Sequence, residues 1–147
     1  MSSKLSSSLN PLNMKVLNLS HNNLVNADIL ENFTNLEFLN LSHNKLKTLL
    51  ALVHCTKLKE VYFGHNKFIQ LPNFFGLDKI TLISAPNNLI TSLENIANLT
   101  LNKKLQILDL SDNPVTNKQN YTTLVKNILP QLLIIDNSDI VKEYFLY

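Results

Sequence analysis

The stretch Val16-Leu17-Asn18-Leu19-Ser20-His21-Asn22-Asn23-Leu24 returns 22 residues later as Phe38-Leu39-Asn40-Leu41-Ser42-His43-Asn44-Lys45-Leu46. It returns again as Glu60-Val61-Tyr62-Phe63-Gly64-His65-Asn66-Lys67-Phe68. The pattern L-x-L-x-x-N-x-L continues with Leu82, Ser84, Asn87, Leu89 and ends with Leu108, Leu110, Asn113, Val115. In this reading the asparagines are spaced 22, 22, 21 and 26 residues apart. Within each unit the apolar positions first alternate, as in a short strand with one buried face: Leu17 and Leu19 point inward, while Val16, Asn18 and Ser20 point outward. They then fall into steps of three, as in Leu24, Ala27, Leu30, Phe33, Leu36 and Phe68, Leu71, Phe74, Leu77, Ile80, a spacing that suits 3₁₀ turns.

A period of about 22 residues carrying this motif belongs to leucine-rich repeats. The expected fold is α/β: a leucine-rich repeat solenoid, or right-handed β-α superhelix, with a parallel concave sheet, a convex side of 3₁₀ turns and short helices, and a C-terminal helical cap. Residues 1–13 form an N-terminal segment, 14–115 hold five repeats, and 116–147 make the cap and an apolar tail. Each repeat covers its neighbour's apolar face, so five units suffice to build a core from a chain of 147 residues. The asparagine column is expected to be buried, its amides satisfying backbone groups where the chain leaves each strand. Repeat four is irregular in this register, with Ser84 at a core position followed by Ala85-Pro86.

The net charge is +2, and all thirteen basic residues are lysine. Without arginine the chain lacks the side chain best suited to bidentate contacts with phosphates and guanines. A single cysteine, Cys55, excludes an internal disulfide and falls on the apolar spacing of the second unit. The first dozen residues hold no apolar run of signal-peptide length, and no segment approaches membrane-spanning length. Sequons such as Asn18-Leu19-Ser20 are by-products of an asparagine-rich repeat. These features point to a soluble, intracellular protein, cytoplasmic or nuclear.

After Asn113 the periodicity turns helical: Tyr121, Leu124, Val125, Ile128 and Leu129 share one face until Pro130 stops the helix. The run Asn113-Pro114-Val115-Thr116-Asn117-Lys118 with Tyr121, then Leu129-Pro130-Gln131-Leu132 with Ile135-Asp136, then Val141 and Glu143, resembles the C-terminal cap of the intracellular leucine-rich repeat family with 22-residue units. The resemblance covers about residues 12–143. That family includes a regulatory subunit of protein phosphatase 1, an axonemal dynein light chain, acidic nuclear phosphoproteins and the A-prime subunit of a spliceosomal ribonucleoprotein. The resemblance implies a non-catalytic protein-interaction scaffold within a larger complex, a ribonucleoprotein subunit, or a phosphatase regulator. The arginine expected after the cap tyrosine is Thr122 here.

The outward strand positions form columns: Val16, Phe38, Glu60, Thr81, Ile107; Asn18, Asn40, Tyr62, Ile83, Asp109; and Ser20, Ser42, Gly64, Ala85, Ser111. Large apolar groups lined up on one concave face are where binding energy concentrates. The expected partner-binding residues are therefore Phe38, Glu60, Tyr62, His65, Ile83, Ile107 and Asp109. His21, His43 and His65 occupy equivalent places and form a ladder that ends at Pro86 and Asp112; a straight ladder spreads its ligands, so no metal is expected. Lys45, Lys47 and Lys67 lie on a basic rim that offers weak contact to RNA backbone. No nucleophile beside a base, glycine-rich phosphate loop or carboxylate pair in a pocket is visible, so neither catalysis nor a cofactor is expected. The first strand is expected to leave an open edge, covered by the N-terminal segment or a partner. The apolar tail Tyr144-Phe145-Leu146-Tyr147 is expected to be ordered, on the cap or in a partner.

Overall fold

The computed structural model describes residues 10–136. Six short strands, β1 (Val16–Asn18), β2 (Phe38–Asn40), β3 (Glu60–Tyr62), β4 (Leu82–Ser84), β5 (Ile107–Asp109) and β6 (Ile134–Ile135), form one parallel sheet in sequence order. Parallel neighbours require a return path after every strand. Here the returns include 3₁₀ segments at Asp28–Asn32, Leu50–His54 and Glu94–Leu101. The fold is the expected leucine-rich repeat solenoid. β6 adds a sixth strand beyond the five repeats, pairing Leu108 with Ile135.

The core lies between sheet and returns. Inward residues Leu39, Leu41, Val61, Phe63, Leu108 and Leu110 are fully buried, and so are Leu30, Leu36, Leu52, Leu58, Leu77 and Ile80 from the period-three turns. Cys55 is one of these core residues, and burial pushes its thiol up to about 11, so it stays protonated. At the first repeat Leu17 and Leu19 are only half-buried. Among the described residues β1 pairs with β2 alone, leaving the expected edge, and Leu12 on the turn Pro11–Asn13 is exposed. Leu5, Leu9 and the apolar tail lie outside the described residues.

The asparagines lock consecutive repeats together. The Asn66 amide donates to the carbonyls of Leu41 and Phe63, both at 3.0 Å, while its oxygen accepts from the Leu46 N–H at 3.0 Å. Asn44 does the same with Leu19, Leu41 and Leu24, and Asn113 with Ala85, Leu110 and Ile90. Each amide thus satisfies polar backbone groups on two turns of the solenoid, groups that burial cuts off from water. The Asn22 amide, at the first repeat, donates to Leu19 and Ser20 of its own turn.

In repeat four the ladder residue is Asn88. Asn88 bonds Phe63, Ala85 and Phe68, while Asn87 is exposed with φ 53°. β4 pairs Val61 with Ile83, so Ile83 and Ala85 face the core, and Leu82 and Ser84 face the concave side. The expected register of this repeat is corrected by one residue, which exchanges its two faces. The correction restores the 22-residue spacing from Asn66 to Asn88 and removes the serine from the core. Pro86 then stands beside Gly64, where a Cβ on Gly64 would lie 2.9 Å from Pro86 Cγ and 3.1 Å from its carbonyl oxygen.

At the far end α1 (Tyr121–Ile128) buries Tyr121 and Val125 and packs against the 3₁₀ segments Glu94–Leu101 and Pro114–Asn117. Leu124 is largely exposed. Asp136 follows β6, and its carboxylate accepts from Leu110 N–H at 2.7 Å, where in earlier repeats a backbone carbonyl of the next strand, such as Tyr62 for Leu41 and Asp109 for Ala85, accepts the equivalent N–H. The Tyr121 hydroxyl also donates to it at 3.3 Å. Burial raises the Asp136 carboxyl above the usual range, and burial together with the Asp136 charge raises the Tyr121 phenol strongly.

Asn66→Ala leaves buried carbonyls and an N–H unpaired and should lower unfolding free energy by about 3 kcal/mol in urea titrations. Gly64→Ser, which installs the residue found at this place in repeats one and two, should cost about 1–3 kcal/mol through overpacking. Pro86→Ser in the same chain should recover most of that loss.

Candidate functional site

Two columns of side chains cross the concave side of the sheet, set by strand register. The first runs Val16, Phe38, Glu60, Leu82, Ile107, Ile134, and the second Asn18, Asn40, Tyr62, Ser84, Asp109 with Asp136 after β6. Register therefore brings Phe38, Glu60, Tyr62, Ile107 and Asp109 onto one face, as the sequence suggests. Ile83 is not among them: it is fully buried in the core, because the repeat-four alternation is shifted, so that Ser84 takes its expected place beside Tyr62 and Leu82 takes that of Thr81 beside Glu60. Leu82 and Ser84 are the site residues missed in the sequence; the pair Asn87-Asn88 was the signal, since only Asn88 keeps the repeat length constant.

The expectation of large exposed groups on this face also needs correction. Phe38, Glu60 and Ile107 are half-buried, but Tyr62 and Asp109 are 0% exposed, Ser84 1% and Leu82 2%. Tyr62 and Leu82 nonetheless do not belong to the hydrophobic core cluster. The Tyr62 hydroxyl donates to Glu60 at 2.7 Å. Asp109 Oδ1 accepts from the Ser111 N–H and hydroxyl at 2.9 and 2.6 Å, which closes the turn after β5. Asp109 Oδ2 and Ser84 Oγ, on register-paired residues, are buried without a hydrogen-bond partner among the described residues. The centre of the concave face thus holds an acceptor and a hydroxyl that water cannot reach.

Above this column, where the chain leaves the strands, lies the histidine ladder. His21, His43 and His65 adopt φ of 59°, 57° and 53°, a left-handed conformation, and Asn87 and Asp112 continue the series in place of the expected Pro86. The rings stack with centroids 4.2 and 4.1 Å apart and planes 10° and 11° from parallel. Asn87 Nδ2 approaches His65 Nε2 at 3.4 Å. Face-to-face rings run their nitrogens in rows, and among the described residues no group of three histidine, cysteine or acidic side chains could hold a metal. His43, between two rings, is held below the ordinary histidine range by desolvation, then by the charges of His65 and His21.

Lys45, Lys47 and Lys67 are exposed on the rim. Elsewhere, Glu37 accepts Lys59 at 2.6 Å and Lys15 at 3.5 Å, tying three repeats, and the Lys59 hydrogen bond leads in holding its carboxyl below the usual range. A separate groove on the return side is lined by Leu50, Val53, Leu71, Pro72 and Asn95. No helix among the described residues is long and apolar enough to cross a membrane.

A sheet of repeated strands with bonded asparagines defines a repeat-solenoid protein. Family models described as leucine-rich repeats match residues 12–53, 34–76 and 101–118, together more than half of the sequence. The chain belongs to the leucine-rich repeat proteins. A curated relative, a histone of Tetrahymena thermophila, is 36% identical over 70 residues, 48% of this chain and 18% of that protein. The chain thus spans under a fifth of that relative's length. Similar solved structures include an internalin of Listeria monocytogenes at TM-score 0.70 and 22% identity, covering 84% of this chain and 34% of that one. The Drosophila melanogaster SNF/U2A' complex contains another, at 0.69 and 23%, covering 82% of this chain and 71% of the other.

The depressed basicity of His43 has a defined sign. The unfolded chain takes up a proton near the ordinary histidine value of about 6.5. The folded chain does so only at lower pH, so the stability His43 contributes is full above the unfolded value and is lost as pH falls through the folded one. Tm should therefore fall on acidification below about pH 6.5, and His43→Asn, which tolerates the same positive φ, should flatten that part of the Tm–pH curve.

Proposed function

We propose that the protein is a non-catalytic protein–protein interaction scaffold, a subunit of a larger intracellular complex. The repeat body of residues 14–115 binds a protein partner along its concave face. Phe38, Glu60, Leu82 and Ile107 supply the contact row, Tyr62, Ser84 and Asp109 its deep row, and His65 the upper ledge. The observation that carries this reading is that Ser84 Oγ and Asp109 Oδ2, at the centre of that face, have no hydrogen-bond partner among the described residues. A buried acceptor without a donor costs about 1–3 kcal/mol, which an incoming N–H or O–H recovers. The leucine-rich repeat membership supports a binding role, since the fold presents a surface and none of the residue sets described above activates a nucleophile or a water.

A ribonucleoprotein subunit similar to U2A' is the second reading. It is favoured by a backbone likeness spanning most of that chain and by the exposed lysines Lys45, Lys47 and Lys67. In that reading the lysines lie near phosphate while the concave face clasps a protein companion, and localisation is nuclear.

Native co-purification of tagged protein, divided with and without ribonuclease, separates the two. The scaffold reading expects the same co-purifying proteins in both halves, and their loss for Phe38→Ala with Ile107→Ala, each anchor being worth about 2 kcal/mol. Loss after ribonuclease, together with binding that weakens steeply with salt, would favour the ribonucleoprotein reading. Partners retained by the double variant would rule out the concave face.

A further inference from the structure

The binding reading uses only His65 of the three stacked histidines. All three rings are exposed, so the stack is a surface feature that solutes reach. Their shared left-handed φ, 59°, 57° and 53°, and the register of the strands before them aim the rings in one direction. With centroids 4.2 and 4.1 Å apart and planes 10° and 11° from parallel, equivalent ring nitrogens run in a row at about the ring spacing. The row borders a cavity of about 310 Å³ whose wall also carries Ser20, Ser42 and Asn87. Ser84 lines it too, and its Oγ has no hydrogen-bond partner among the described residues.

This wall is rich in donors, and none of the described residues lining it is acidic. A neutral imidazole offers one N–H and a protonated one two. Protonating adjacent rings sets like charges side by side, and His43, between two rings, already stands below the ordinary histidine range through desolvation and then the charges of His65 and His21. An anion in the cavity reverses that balance, because it accepts from imidazolium N–H groups on neighbouring rings and each proton taken up strengthens its hold. The charges around the rim agree with this sign. Lys45 and Lys67 are exposed two residues beyond His43 and His65. On the strands below, Glu60 is bonded by the Tyr62 hydroxyl and Asp109 by Ser111, while Asp112 stands two places beyond His65 in the series, with Asn87 between. A phosphate group carries about two negative charges and three acceptor oxygens, against one charge and two oxygens on a carboxylate. It is therefore the group whose charge and acceptors match three rings in a row.

We propose that the cavity beside His21, His43 and His65 is a binding site for a phosphate group, taken up together with protons by the histidine ladder. Affinity is then set by pH: protonated rings hold the group, and neutral rings release it. The group is free phosphate or phosphate carried on an ester, since both present the same oxygens to the rings. The site lies on the rim where the chain leaves the strands, so it stands whether or not a protein occupies the rows of Phe38 and Tyr62.

The test is an NMR pH titration of the four histidines in the full chain, with sulfate exchanged for chloride at constant ionic strength. Sulfate is the first probe because its charge, unlike that of phosphate, is constant over the range of about pH 5–8 where histidine titrates, so any proton uptake belongs to the protein. His54, on the 3₁₀ segment Leu50–His54 and outside the stack, is the internal reference. Saturating sulfate should raise the midpoints of at least two ladder histidines by about half a pH unit relative to His54, which corresponds to about threefold tighter binding by each protonated ring. His43→Asn, which keeps the positive φ, should remove the shift from His21 and His65 by breaking the row. His65→Asn, at the end of the stack, should leave His21 and His43 responsive. Inorganic phosphate and phosphoserine are then titrated at about pH 6.5: equal binding assigns the free ion, and tighter binding of phosphoserine assigns the ester. Ladder histidines that move no more than His54 would overturn the proposal, as would shifts that survive His43→Asn. Sulfate shifts with no response to either phosphate compound mark an adventitious ion only and overturn it as well.

Discussion

A side-chain amide that bonds two turns of the solenoid at once governs this structure. Asn44, Asn66, Asn88 and Asn113 each sit where the chain leaves a strand, donating to carbonyls of their own and the preceding repeat and accepting an N–H from the preceding one. The sheet cannot supply those bonds, because its strands are only three residues long. Fixing the exit point fixes the register of the strand before it, and through the alternation of side chains it fixes which residues face the core and which the concave side. After the last strand Asp136 puts a carboxylate where earlier repeats use a next-strand carbonyl, accepting the Leu110 N–H, and burial shifts its titration upward.

The binding face inherits its order from that register. Phe38, Glu60, Leu82 and Ile107 stand in one row because their strands are in step, and Tyr62, Ser84 and Asp109 stand in the next for the same reason. The same step places His21, His43 and His65 in a stack with nearly parallel rings. Conformation reinforces it, since each histidine occupies the left-handed region that lets the chain turn away from the strand. Gly64 shows how tightly neighbouring turns approach there: with Pro86 beside it, the turn has no room for a side chain.

Much of this was legible because the repeat is regular. The periodicities of two and three located the inward strand residues and the buried returns, and the helical pattern from Tyr121 to Leu129 located α1. The failure fell on one repeat. Leu82 and Ile83 are both apolar and Asn87 and Asn88 are identical, so local pattern allowed two registers, and the wrong one put Ile83 on the binding face and Ser84 in the core. The hydrogen bonds from Asn88 to Phe63 and Phe68 separate them, because only that register satisfies the backbone of the preceding repeat.

By itself the sequence determined the repeat length, the parallel solenoid and most of its core, since these follow from the spacing of apolar side chains along the chain. Tertiary structure decided the rest: the face of Ile83, the burial of Tyr62 and Asp109, the stacking of the histidines and the atoms of Ser84 and Asp109 that find no partner among the described residues. Each depends on how adjacent repeats meet across the sheet. A linear pattern records which residues repeat, whereas exposure and hydrogen bonding are settled by neighbours about twenty residues away in sequence and about 4.8 Å away in space.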